Sequence, residues 1–462
     1  MSSQPKSHRH FEPNIPFDEL KNRIQKLKKQ LAGHSVLIVN TATEKTHSNS
    51  VSHPYRQDSD FYYLTGLDVE PAHLVVTGDQ MILFCDQPDP EKEIWEGFKP
   101  DHDEIRSLCP VDQMYNLSDY NVKLAELLAG RDFLYYEYGQ NESQDRYIFS
   151  TLHEMQSRSR AGKTPPSAVV HVRSLLHEMR MIKSGYEIDQ MIQISKITAE
   201  AHCAMLKKVR PGMFEYQLDA ILLQHFRNYD ASWAYPSIVA SGANGCILHY
   251  TSNQKQIADG DLILVDAAAA KRNINTDVTR TFPANGRYSA EQKAVHEAVL
   301  LAQSKAVEKT VIGASMDESH QAAVDVLVDF LIAEKILKES KDTCIEKSLY
   351  KPFYMHRTGH YIGYDVHDVG AYYGDSFQNR IKANRSDHNN RNGSSAARQF
   401  AAGMVCTVEP GLYFSPAIAE SRHFAGIAVR IEDDVLVTDD KPKVLTTGIP
   451  RSVTETEQFM NR

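Results

Sequence analysis

The segment DLILVDAAAAKRNINTDVTRTFP, residues 261–283, constrains the fold more than any other stretch of this chain. Leu262, Ile263, Leu264 and Val265 read as a buried strand that ends on Asp266. After the polar residues Lys271, Arg272 and Asn273, Asp277 opens a second β-forming run, Val278 to Phe282. Folded as a hairpin about the polar residues, the two runs set the aspartates roughly opposite one another, with cross-strand Cβ atoms ~5 Å apart. Like charges that close in an apolar setting are costly unless a cation is present. Two hairpin-end aspartates facing water fit the same residues, so this segment alone leaves both readings open.

Further carboxylates sit inside apolar runs. Glu409 lies in MVCTVEPGLYF, a strand interrupted by Pro410 and Gly411. Glu432 lies in IAVRIEDDVLV, where alternation puts Arg430 and Glu432 on one face and Val429, Ile431 and Val435 on the other. A carboxylate within so apolar a strand is paired or metal-bound more often than free; an Arg430–Glu432 ion pair on a solvated face is the alternative. The segment MHRTGHYIGYDVHDVG carries His356, His360 and His367, and Gly359 and Gly363 argue against a helix there. H-E-x-x-H is absent, so no helical zinc face is read. Four carboxylates with one imidazole form an oxygen-rich set suited to Mn²⁺, Co²⁺ or Fe²⁺, with Zn²⁺ also compatible. Two such metals ~3.5–4 Å apart would clamp a hydroxide between them.

At 462 residues the chain exceeds what one hydrophobic core fills, so two domains are expected. The first half mixes an amphipathic helix from Phe17 to Leu31 with short apolar runs read as strands: Ser35 to Val39, Phe61 to Leu64, Leu74 to Val76 and Met81 to Phe84. The fold class is α/β. A long helix is expected from Ser174 past Glu187 to Val209, and the boundary is placed at Arg173, giving domains 1–173 and 174–462. The second has an α+β texture, with helices near 216–227, 290–310 and 317–336 among strands near 236–241, 261–270, 275–283, 404–414 and 427–438.

A net charge of −9 gives no basic footprint for nucleic acid or anionic membrane. No apolar run approaches the ~18 residues of a membrane span. The N-terminus lacks the apolar core of a secretory signal. Six scattered cysteines without a C-x-x-C pair point to a reducing compartment, so a cytoplasmic location is expected and the sequons at Asn116, Asn141, Asn384 and Asn392 read as chance matches.

Taken in order, SIVASGANGCILHYTSN (237–253), the hairpin ending DVTRTFP, the His356–His367 segment, TVEPGLY (407–413) and VRIEDDVLVT (429–438) resemble the pita-bread metallopeptidases, most closely the aminopeptidase P (Xaa-Pro aminopeptidase) family. PYRQDSDFYYLTG (54–66) resembles that family's N-terminal domain, and LLHEMRMIKS (175–184) its interdomain helix. The resemblance covers nearly the whole chain. It implies a creatinase-like N-terminal domain followed by a pita-bread catalytic domain. It also implies metal ligation by Asp266, Asp277, His360, Glu409 and Glu432, with Asp277 and Glu432 bridging two divalent ions, Mn²⁺ first.

The same resemblance implies that Glu409 accepts the proton of the attacking water and that His367 steadies the carbonyl oxygen. His249 and His356 would line the substrate site, with His356 on the proline side, and Arg430 and Tyr413 would support the ligands. The implied reaction is release of the N-terminal residue from peptides with proline second, by a hydroxide bridging the metals. A homo-oligomer, dimer or tetramer, is implied, with peptides as partners and neither nucleic acid nor membrane. Prolidase shares fold and ligands but takes only dipeptides; a metal-free binding module of this fold is the rival from another class.

The chain departs from the family pattern at Ala267–Ala270, at Ala401–Gly403, and in a polar stretch, 375–398, longer than usual. None of these removes a ligand. The polar stretch follows His367 closely and is expected to border the cleft.

Overall fold

The computed structural model describes residues 12–31, 34–158, 160, 162, 164–374 and 396–461. Most of the polar stretch 375–398, and with it Asn384 and Asn392, lies outside the described residues. The chain divides into two compact units, Met1–Met179 and Arg180–Arg462.

The first unit is built on a six-stranded mixed sheet in the order Gln113–Tyr115, Met81–Phe84, His73–Thr77, Ser35–Asn40, Phe133–Tyr136, Ala168–Val170. Ser35–Asn40 runs antiparallel to His73–Thr77 and parallel to Phe133–Tyr136. Its successive residues Val36, Leu37 and Ile38 are all fully buried, so both faces of the sheet are covered. Val36, Ile38, Val75, Ile82, Phe84 and Leu134 pack with Leu124, Leu128 and Ile148 of two helices.

Two expectations are corrected here. Phe61 to Leu64 form part of a helix, Ser59–Thr65, rather than a strand. The Asp58 side chain accepts from the Phe61 amide at 2.8 Å, and Gly66 takes a left-handed C-cap at φ 65°, so capping overrides the β-propensity of Phe-Tyr-Tyr. The helix expected from Ser174 to Val209 is broken into Leu176–Met181 and Gly185–Leu206. Ser184 and Glu187 form a reciprocal capping box, which starts a new helix at Gly185.

In the second unit the helices Ala290–Glu308 and Met316–Ala333 supply Val295, Val299, Ala302, Val324, Leu327 and Leu331 to one core, joined by Val408, Leu412, Val429 and Val435 from four strands and by Ile431 between two of them. Because side chains alternate along a strand, burying Val429 against the helices turns its neighbour Arg430 to the opposite face, while Glu409 and Glu432 follow directly after the strand end at Val408 and the break at Ile431. The alanine run is packed tight: Ala267, Ala268 and Ala269 are fully buried. Helix Gly185–Leu206 meets it through His202, whose Nε2 donates to the Ala267 carbonyl at 2.7 Å, and Thr198, whose hydroxyl accepts from the Ala269 amide at 3.0 Å.

Candidate metal centre

Leu262–Asp266 pairs antiparallel with Thr279–Pro283, Asp266 opposite Thr279. Toward the turn, Ala270 lies opposite Asn275 and Lys271 opposite Ile274, around Arg272 and Asn273 at φ 52° and 60°. Asp277 therefore falls across from Ala268, and the aspartates are diagonal neighbours on one face rather than directly opposed. The two-residue turn with both φ positive sets this register. Their carboxylates meet at the Tyr235 hydroxyl, which donates to Asp266 Oδ1 at 2.5 Å and also to Asp277 Oδ1.

His360 reaches the site because its segment runs beside the Val405–Val408 strand. The Thr407 amide donates to the His360 carbonyl at 2.8 Å, and the Glu409 amide to the Thr358 carbonyl at 2.7 Å. Any Cβ at residue 359 would overlap the Thr407 carbonyl oxygen, so the close approach requires Gly359. His360 Nε2 then stands 3.5 Å from Asp277 Oδ2 and 3.6 Å from Glu409 Oε1.

The strand expected across 427–438 is broken at Ile431 and Glu432 into Ala428–Arg430, paired with Gly411–Tyr413, and Asp433–Leu436, paired with Val405–Val408. At the break, the Glu432 amide donates to the Thr279 carbonyl at 3.1 Å and the Thr279 hydroxyl to Glu432 Oε2 at 2.6 Å. Arg430 is buried, and its ion pair is with Asp266 at 2.6 Å rather than with Glu432 on a solvated face. The same guanidinium donates to the Tyr413 hydroxyl and to Thr279 Oγ1, each at 3.1 Å.

Donor atoms of Asp277, His360 and Glu432 converge within 4.8 Å of one another. Glu409 adjoins them through His360, and Asp266 through Tyr235. The chemistry of this set fits divalent cations. Burial, then repulsion from Asp277, pushes the Glu432 carboxyl well above its usual range; burial also raises Asp266, and carries Glu409 to about 7. Burial alone would lower His360, yet the Asp277 and Glu409 carboxylates drive it up to about 9. The cluster calls for positive charge, which a bound proton or a metal can supply.

The remaining histidines flank this cluster. His356 Nε2 lies 2.8 Å from the Tyr413 hydroxyl, and its Nδ1 3.8 Å from Glu409 Oε2. Burial and then Arg430 lower His356 to about 3, keeping it neutral. His367 stands edge-on to His360 at 4.4 Å between ring centroids, and burial followed by the charge of His360 lowers it too. His249 is exposed rather than packed in a core. All four histidines line one cavity of about 830 Å³ with Asp266, Asp277, Glu409, Arg430 and Glu432. Tyr413 is buried behind it.

Sequence reasoning missed Tyr235 and Thr279. A tyrosine before Pro236 in an irregular stretch has no periodicity to mark it. Groups that orient metal ligands typically matter ~10–100-fold for metal affinity or activity. Tyr235→Phe is expected to weaken metal retention about tenfold, read as metal content after dialysis against graded chelator. Unchanged retention would remove the hydroxyl from the site's support.

Residues 189–439 match the model of metallopeptidase family M24, and residues 20–135 that of the aminopeptidase P N-terminal domain. The chain is 35% identical to the Xaa-Pro aminopeptidase of Escherichia coli (strain K12) over 452 residues, 96% of this chain and 98% of that protein. It is 30% identical to Xaa-Pro aminopeptidase 3 of Rattus norvegicus, covering 93% of this chain and 81% of that protein. The aminopeptidase PepP structure from Pseudomonas aeruginosa matches with a TM-score of 0.88 at 39% identity, over 97% of this chain and 98% of that one. A zinc-substituted E. coli aminopeptidase P in complex with product matches with a TM-score of 0.88 at 36% identity, with the same coverage.

Proposed function

This chain belongs to metallopeptidase family M24, and from that premise we propose that it is a Xaa-Pro aminopeptidase, releasing the N-terminal residue from peptides with proline second. It has an aminopeptidase P-type N-terminal domain followed by a pita-bread catalytic domain. The observation that carries the reading is the convergence of Asp277, His360 and Glu432 in a cavity that Asp266 and Glu409 also line. Those five residues are the proposed ligands of two divalent ions, Mn²⁺ first, with Co²⁺, Fe²⁺ and Zn²⁺ as alternatives. Bound there, the ions supply a water activated at neutral pH and a Lewis acid for the scissile carbonyl.

The chain's own groups do the rest. Glu409 takes the proton from the attacking water and delivers it to the proline nitrogen, which as an imide nitrogen carries no hydrogen of its own. His367, at the cavity surface, donates to the carbonyl oxygen as negative charge develops there. His356, hydrogen-bonded to Tyr413 and facing Glu409, guides the proline side, and His249 borders the substrate from the opposite loop. Arg430 and Tyr235 hold Asp266 and Asp277 in place.

No helix among the described residues is long and apolar enough to cross a membrane. A cytoplasmic homo-oligomer of two or four subunits completes the proposal, and its mass in solution reads the assembly.

With Mn²⁺ present, Arg-Pro-Pro is expected to release arginine, and chelation to remove at least ~99% of the activity, matching the factor of 10² or more typical of a lost catalytic group. Hydrolysis of Arg-Pro alone would make the enzyme a prolidase. No activity with Mn²⁺, Co²⁺ or Zn²⁺ would leave a binding module.

A further inference from the structure

The floor and the rim of the cavity differ in charge. Asp277 and Glu432 are buried, whereas Asp317 and Arg357, on the same lining, have side chains 41% and 54% exposed. The other guanidinium on the lining, Arg430, is buried and engaged by Asp266, Tyr413 and Thr279. Arg357 is therefore the guanidinium that reaches solvent among the described lining residues.

Its place is fixed from two sides. The Arg357 carbonyl oxygen lies 2.7 Å from His356 Nδ1. Its guanidinium donates through one terminal nitrogen to Asp317 Oδ1, which also accepts from the Tyr373 hydroxyl at 3.0 Å. Asp317 is thus held by two donors, while the remaining N–H groups of Arg357 find no partner among the described residues. A guanidinium anchored at one end with its other N–H groups open to water is shaped to receive a carboxylate.

We infer that Arg357 selects for a carboxylate placed beyond the second-position proline of the substrate. This rests on the aminopeptidase reading of the cavity. In that reading the scissile bond lies at the floor with one residue ahead of it, so the chain after proline leaves past the rim. His356, one residue from Arg357, stands 3.8 Å from Glu409, and the proposed function sets it on the proline side of the scissile bond. The carboxylate has two sources, an acidic third side chain or the free C-terminus of a tripeptide.

Three peptides separate them: neutral Ala-Pro-Gln-amide, Ala-Pro-Glu-amide, and Ala-Pro-Gln with a free C-terminus. With metal-loaded full-length enzyme, kcat/KM for at least one carboxylate peptide is expected to exceed the neutral reference roughly three- to tenfold, the range from an exposed to a two-pronged contact. Whichever peptide shows the preference identifies the source. In Arg357→Gln that ratio is expected to fall to about one, and Arg357→Lys to keep part of it, as a point charge without the fork would. Because each enzyme is its own reference, a general loss of activity cannot imitate the change. Equal kcat/KM for all three peptides, or an undiminished preference in Arg357→Gln, overturns the inference. Failure of the wild-type enzyme to cleave any of them overturns the aminopeptidase reading, and this inference falls with it.

Discussion

Glu409→Gln is expected to lower kcat on an Xaa-Pro tripeptide by ~10²–10⁴-fold, the range for loss of a positioned general base. The substitution keeps the shape and the backbone bond from the residue 409 amide to Thr358, so the fold is retained. What it removes is the proton acceptor standing between His360 at 3.6 Å and His356 at 3.8 Å. Burial first, then the neighbouring Asp277 and Asp266 carboxylates, raise the wild-type carboxyl in the metal-free site, so this position favours a group that can hold a proton. Because Glu409 is also a proposed ligand, metal content and kcat are measured together across a Mn²⁺ titration. Activity restored to within tenfold by excess Mn²⁺ would reduce Glu409 to a ligand and move the proton elsewhere.

The second large effect lies beneath the histidine segment. Asp368 is fully buried at its side chain and pairs with Arg180 at 2.6 Å and Lys183 at 2.7 Å, both only 2% exposed. Gly363 belongs to the same arrangement, since a Cβ there would overlap Asp368 Oδ2. Arg180 also pairs with Asp365 at 2.6 Å, so removing Asp368 strips the carboxylate chiefly from Lys183, and breaking a buried charge group in this way costs ~3–5 kcal/mol. Asp368→Ala is therefore expected to lower the thermal midpoint by roughly 6–20 °C, measured by calorimetry on the metal-loaded enzyme. A drop of under about 2 °C would show that Arg180 and Lys183 find other partners at little cost.

The pH dependence has a definite sign. Burial by itself raises the Asp368 carboxyl, but Lys183 and then Arg180 more than offset it and hold it below the usual 3.8. A depressed carboxyl contributes stability that is complete above its unfolded value and lost as pH falls through its folded one. Wild type is expected to lose this contribution below about pH 3.8, and Asp368→Asn to show no such step. The backbone bond from the Asp368 amide to the Tyr361 carbonyl, at 2.8 Å, survives either substitution, so the effect read is that of the buried charge group.

Much of the site was legible before any coordinates. Glycines 359 and 363 marked a non-helical histidine segment, and the segment is non-helical, with Thr358 to Ile362 bonded along a strand and bends from Gly363 to His367. Alternation in 428–436 put Arg430 and Glu432 together, opposite Val429 and Ile431, and the helix core takes the latter two. Where the reading slipped, a local competitor was stronger than the pattern used. Asp58 and Gly66 capped a helix over aromatic residues, and the Ser184–Glu187 box split one long helix in two.

The sequence by itself determined the hairpin about Arg272 and Asn273, the strands on either side of it, and which carboxylates interrupt apolar runs. Those properties depend on alternation, turn chemistry and propensity among residues adjacent in the chain. Only the tertiary structure decided that Asp266 and Asp277 meet at Tyr235, that Arg430 serves Asp266 rather than Glu432, and that Asp368 rests on Arg180 and Lys183. These partners lie from 31 to 188 residues apart in the chain. At such separations no local energy distinguishes one pairing from another, and the choice falls to which buried charge finds its counterpart when the core closes.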